Sequence, residues 1–144
     1  MKKENVITVL LGFVPFILGW MTNWLLFGNV SVRIIVWFAA LYGPIVWAAL
    51  SYAACRMLRS VSKTMLLINA VAFIDLLLIY WQEMVRQQYF GGFIGACTQF
   101  YYLPWLRWGV LLAIETSTMV PAYFMSFLVM LICSYLGCKM AVKR

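Results

Sequence analysis

The sequence contains no histidine, and this absence narrows the chemistry available to the chain. Histidine is the commonest general base near neutral pH and the commonest ligand for transition metals. Acidic residues are also scarce, since aspartate and glutamate together number 4, and the 4 cysteines form no C-x-x-C pair. We therefore predict no metal site, no cofactor and no catalytic residue. These absences argue against an enzyme without excluding one.

Charge of either sign is sparse as well, because only 10% of the residues are charged and 66% are hydrophobic. A soluble domain has about 25% charged and about 45–50% apolar residues. The net charge of +7 would suit a nucleic-acid partner in a soluble protein. Here the basic residues flank long apolar runs, so we expect the chain to contact a lipid bilayer and not nucleic acid.

Four apolar runs are long enough to cross a bilayer as helices. The first, residues 6–27, would be about 33 Å long as a helix, against a hydrocarbon core of about 30 Å. The next two are residues 34–54 and 64–81, and we place the last at 116–137. The sequence thus predicts an all-α fold, a single bundle of four transmembrane helices. An alternative last helix begins near Pro104 and bends at Pro121.

The connection between the third and fourth helices is long and rich in aromatic residues. It contains three glycines and Pro104, yet it is too apolar to be a solvated linker. We predict that residues 90–112 lie in the membrane interface or re-enter the membrane, where non-helical backbone needs protein around it.

The basic residues are distributed unevenly between the two ends of the predicted helices. Eight lie at one end and three at the other, and loops with excess lysine and arginine stay in the cytoplasm. Both termini are therefore predicted to be cytoplasmic, in the cell membrane. Six of the seven tryptophans lie at the opposite end, where amphipathic rings prefer the interface; they are Trp20, Trp24, Trp37, Trp81, Trp105 and Trp108.

Small residues and prolines in the spans predict how the helices pack and bend. Small side chains let membrane helices approach closely, and the second span has two such pairs four residues apart. The pairs are Ala39 with Gly43 and Ala49 with Ala53. Pro15, Pro44 and Pro121 predict bends in three of the four helices.

Asp75 is the residue that most needs an explanation, because it lies near the middle of the third span. A charged group at that depth costs at least about 2.5–3.5 kcal/mol, so it usually faces protein and finds a partner. Arg33 and Arg107 are long enough to reach inward and form an ion pair with it. Asp75 is then either a structural pin for the bundle or a site that binds a proton or cation.

Glu115, at the outer end of the last helix, is a second candidate for ion or proton binding, or a cap for that helix. Other polar side chains gather at the same depth as Asp75 and predict a polar pocket open to the outside. They are Thr22, Asn23, Gln82, Ser117 and Thr118.

Three functions fit these features. The first is a non-enzymatic accessory, immunity or scaffolding subunit that binds a membrane-protein partner or a second copy of the chain. The second is a small oligomeric transporter or channel that uses Asp75. The third is a membrane enzyme acting on lipid, with Asp75 and Glu115 as acid and base, and it has the least support.

Overall fold

A computed structural model describes residues 3–28, 31–87, 92–112 and 118–142. Within these ranges the chain is helical and has no strand, which confirms the all-α prediction. Within the described residues three helical segments are long and apolar enough to cross a membrane, and there are four if a bent pair of helices counts as one span. Composition and length therefore support a membrane bundle with three to four spans.

The first span is broken. Helix α1 covers Lys3–Leu11 and helix α2 covers Val14–Leu26, with two residues between them. Proline has no N–H and its ring clashes with the preceding turn, so Pro15 fits only in the first turn of the new helix. The sequence predicted one helix over 6–27, with a bend at this proline.

The second span is one helix, α3, over Val32–Leu58, which continues through Pro44. It ends at Arg59, whose φ of 51° is left-handed, a common way to stop a helix. Helix α4, Val61–Ile68, follows at once, with Ser60 accepting a hydrogen bond from the Lys63 backbone N–H at 3.5 Å.

The third span is bent at Asn69. Helix α5 covers Ala70–Tyr80 and runs into a π-helical turn, Trp81–Val85. The axes of α4 and of the α5 segment differ by 41°. The predicted helix over 64–81 lies inside this longer, broken element, and no proline marked the bend.

Two short helices form a hairpin that enters the bundle. Helix α6 covers Gly92–Tyr102, helix α7 covers Leu106–Leu112, and Pro104 lies in the turn between them. The tip of this hairpin is fully buried: Tyr101, Tyr102 and Trp105 are each 0% exposed. The alternative prediction of a last helix beginning near Pro104 is therefore wrong.

The last helix, α8, covers Val120–Val142. It starts later than the predicted 116–137, and residues 116 and 117 lie outside the described part of the chain. Pro121 stands in the first turn, where its missing N–H costs nothing, so it does not bend the helix.

Helices α3 and α8 make the most extensive contact in the bundle. Gly137 allows it, because a β-carbon there would overlap the Ala48 carbonyl oxygen. Of the predicted packing residues, Ala39 and Gly43 are buried, whereas Ala49 and Ala53 are exposed. The second pair therefore makes no close helix contact within the described part of this bundle, and its role in packing stays a prediction.

The helices give the bundle two distinct ends. Cys55 and Cys138 are in contact, so α3 and α8 finish together, and α4 begins beside them. We call this the basic end, defined by Arg56, Arg59, Lys63 and Lys139. We call the other the tryptophan end, defined by Trp20, Trp24, Trp37 and Trp81.

Candidate functional site

Asp75 is enclosed by protein. It lies in α5 with only 4% of its surface exposed, on the same helix face as Ala72 and Ile79, which are also buried. Gln82, in the π-helical turn, continues this face and is 5% exposed. Helical periodicity puts these residues on one face, and that face packs inward, although Leu78 at its margin is exposed.

Two polar atoms on this face have no hydrogen-bond partner in the described part of the chain. They are Asp75 Oδ2 and Gln82 Nε2, both shielded from solvent. Leaving a buried polar group unpaired costs about 1–3 kcal/mol, and more for a charged group. Most buried polar groups in proteins are paired, so such an exception indicates either strain or function.

The hairpin tip approaches Asp75 from across the bundle. The Tyr102 hydroxyl donates to the Ala72 carbonyl at 2.7 Å, one helical turn from Asp75. The Tyr101 hydroxyl donates to the Gly12 carbonyl at 2.9 Å, at the break between α1 and α2. Both tyrosines are within electrostatic range of Asp75. The tip therefore joins the broken first span to the helix that carries the carboxyl group.

A second group of unpaired polar atoms lies where the hairpin tip meets α3. The indoles of Trp105 and Trp47 are in edge contact, with centroids 6.3 Å apart, and neither N–H has a partner among the described residues. Ser51 Oγ, one turn further along α3 from Trp47, is also buried and unpaired. The sequence placed Trp105 at the outer interface, but the structure buries it completely beside Trp47. Trp47 and Ser51 were not singled out from the sequence.

Neither predicted arginine forms an ion pair with Asp75. The Arg107 guanidinium lies over the Trp37 ring, 4.6 Å from its centroid, a cation–π contact at the tryptophan end. Arg33 is exposed at the start of α3. In the described ranges no lysine or arginine is paired with the carboxyl group.

The predicted outer pocket is only partly assembled. Thr22 is buried, but its hydroxyl bonds to Tyr42 and to the Leu18 carbonyl, so it holds α2 against α3. Asn23 and Thr118 are half-buried. Ser117 and Glu115 lie outside the described residues.

Glu83 has a role that the sequence did not indicate. Its Oε1 accepts a hydrogen bond from the Met119 backbone N–H at 2.7 Å, just before α8 begins. A carboxylate at a helix N-terminus is favourable, so Glu83 provides the kind of cap proposed for Glu115. Glu83 Oε2 has no partner in the described chain.

The described residues contain no cluster of three or more histidine, cysteine or acidic side chains that could hold a metal ion. The four cysteines are free thiols. The chain matches no protein-family model, and no curated protein or solved structure is significantly similar to it.

Proposed function

We propose that the chain is a membrane transport subunit in which Asp75 binds a proton or a small cation beneath the α6–α7 hairpin. The observation that carries this proposal is the buried carboxyl group with an unpaired Oδ2 atom and no paired cation in the described residues. Ionisable residues inside membrane spans usually mark ion or proton pathways.

The broken helices support the proposal. Transport proteins place their sites where membrane helices are interrupted, because the interrupted backbone supplies polar groups at mid-membrane depth. Here the first span is broken at Gly12 and the third at Asn69. The hairpin tip contacts the first break, and Tyr102 bonds one turn beyond the second.

The hydrogen-bond directions favour a positively charged ligand. Each tyrosine hydroxyl has one hydrogen, and both Tyr101 and Tyr102 donate it to backbone carbonyls. Neither can therefore donate to Asp75, but each oxygen can still accept. A proton on the carboxyl group, or a small cation, is the partner that such acceptors can share.

Among the described residues, the core holds further unpaired polar atoms besides those of Gln82 and Asp75. They belong to the Trp105–Trp47 pair and to Ser51, which lies one turn along α3 from Trp47 towards the basic end. The sequence predicted a polar pocket open to the outside. An unpaired polar atom at Ser51, nearer the basic end, supports a pathway more than it supports a closed outer pocket.

Ion flux into vesicles tests the proposal. Purified wild type and Asp75→Asn would be reconstituted with an internal pH-sensitive dye, and proton entry followed under an imposed membrane potential. We expect the variant to lose at least about tenfold in rate, equivalent to about 1.4 kcal/mol. Glu83→Gln is the matched control, since it neutralises a less buried acid and should retain the flux.

The same vesicles would be tested with a sodium-sensitive and a potassium-sensitive dye. Wild-type flux of one ion that depends on Asp75 identifies that ion as the ligand. If no ion moves through folded wild type, or if Asp75→Asn conducts as well as wild type, the transport proposal fails.

We also retain as a proposal the accessory, immunity or scaffolding role, with a membrane-protein partner or a second copy. It is favoured by the near-complete enclosure of Asp75, at 4% exposure, which suits a pin for the bundle. In that case Asp75→Asn would lower the melting temperature and leave ion flux unchanged. A lipid enzyme would need Asp75 together with Glu115.

We further propose that the basic end faces the cytoplasm of the cell membrane, and that the aromatic connection between the third and fourth spans lies on the outer side. The excess of lysine and arginine at one end and of tryptophan at the other supports this orientation.

A further inference from the structure

The bend at Asn69 opens a groove on the side of the bundle. The groove has a volume of about 650 Å³ and lies between α4, α5 and α8. Its walls are mostly large apolar side chains, among them Met65, Leu66, Phe73, Phe127 and Leu131. Together α4 and α5 are long and apolar enough for one bent span, and in such a span the groove would open to the hydrocarbon of a bilayer.

The one side-chain amide among the groove residues, that of Asn69, is already hydrogen-bonded within the protein. Asn69 Nδ2 donates to the Met65 carbonyl at 2.9 Å and to Ser134 Oγ at 3.1 Å, and the Ser134 hydroxyl lies 3.2 Å from Asn69 Oδ1. These hydrogen bonds hold the amide against α8. The depth of the groove therefore suits an apolar ligand that needs no hydrogen bond.

One polar side chain lines the groove at the basic end, and a lysine lies next to it in the sequence. Ser62 lines it and is exposed, at the start of α4 near the basic end. Lys63 is exposed and lies three residues before Leu66, a groove residue, so the two share a helix face. A ligand with a negative head and an apolar tail matches this arrangement.

The side chains in the groove favour a lipid chain over a partner helix. Helices in membranes associate through stripes of small residues that let backbones approach. Large leucine, methionine and phenylalanine side chains dominate this groove, so a helix would be held away from it. We propose that the groove binds one acyl chain of an anionic phospholipid, with the headgroup at Ser62 and Lys63.

Photolabelling of the full chain in vesicles tests this proposal. Phosphatidylglycerol vesicles would carry a trace of phosphatidylglycerol with a diazirine on its acyl chain, and adducts would be mapped by mass spectrometry. We expect labelling at Leu66, Phe73 and Leu131 to exceed that at Ile17 and Ile45, which are exposed elsewhere on the bundle. Phosphatidylcholine vesicles with the corresponding probe should show a smaller excess.

Two variant pairs sharpen the test. Lys63→Gln should reduce the excess by about fivefold, the effect of one basic residue at an anionic surface, whereas Lys139→Gln should not. Ala70→Phe fills the groove and should remove the excess, whereas Ala53→Phe, on the exposed face of α3, should not.

Three results would overturn the proposal. Labelling spread evenly over all exposed apolar residues would show no lipid site. An equal excess in both lipids would exclude recognition of the anionic headgroup. A groove protected from label in a cross-linked dimer would show that a second copy occupies it. The outcome is independent of Asp75, so the transport proposal can fail without affecting this one.

Discussion

Two buried polar residues on the third span differ in how fully they are bonded. Asn69 makes hydrogen bonds to its own helix and to Ser134 on α8, and so acts as a link between helices. Asp75, less than two turns away, has an oxygen with no partner in the described residues. The contrast separates a structural polar residue from a candidate functional one, although both interrupt the same apolar run.

The Asn69–Ser134 link predicts a measurable coupling. Asn69→Ala and Ser134→Ala should each lower the free energy of unfolding in detergent by about 1–2 kcal/mol, since each removes the buried hydrogen bonds between the two side chains. The double variant should lose less than the sum, by about 0.6 kcal/mol or more. Ser62→Ala, at an exposed position, is the control, and strictly additive losses would contradict the link.

The sequence indicated how deep in a span a polar side chain lies, but not which groups it contacts. Asp75 stood out because an acid in mid-span is costly, and the structure places it among buried residues. Its predicted partner Arg107 instead lies over Trp37. Chain position gives the depth of a side chain, but which groups face it depends on how the helices are rotated against each other.

The hairpin depends on close backbone contact at glycine. A β-carbon on Gly19 in α2 would overlap the Phe100 carbonyl oxygen in α6, and one on Gly109 would overlap the Ala122 carbonyl oxygen. Neither neighbour can rotate away, because both are backbone atoms. These two glycines therefore hold the two sides of the hairpin against α2 and α8.

Substitution of glycine by alanine tests these contacts. Gly19→Ala should lower the unfolding free energy by roughly 1–3 kcal/mol, the usual cost of overpacking, and should displace α6. Gly43→Ala is the matched control, because its β-carbon would lie 3.4 Å from Pro104, an ordinary contact. Equal melting temperatures for the two variants in detergent would contradict the close approach of α2 and α6.

Breaks in the helices could be predicted from the sequence only where a residue cannot continue a helix. Pro15 marked the broken first span, because proline cannot continue a helix without losing a hydrogen bond. Nothing comparable marks the bend at Asn69, which the bonds to α8 hold in place. The hairpin was anticipated as an interfacial or re-entrant segment over 90–112, but its burial among the spans depends on tertiary contacts.

Basic residues and tryptophans are concentrated at opposite ends of the molecule, and this distribution predicts its orientation in the membrane. In intact cells, an impermeant maleimide should label a cysteine placed at the exposed Gln87, near the tryptophan end, and not one at the exposed Ser62, near the basic end. The background variant would have its four native cysteines replaced by alanine. Labelling at position 62 alone would reverse the predicted orientation.

The most direct test of the central claim is infrared spectroscopy of the Asp75 carboxyl group in reconstituted protein. Wild type and Asp75→Asn would be compared as pH is varied and as sodium or potassium is added. We expect a carboxyl band, present in wild type and missing from the variant, that changes with pH or with one of these cations. A band that stays constant in folded protein under all of these conditions would show that Asp75 is structural, and would contradict the transport proposal.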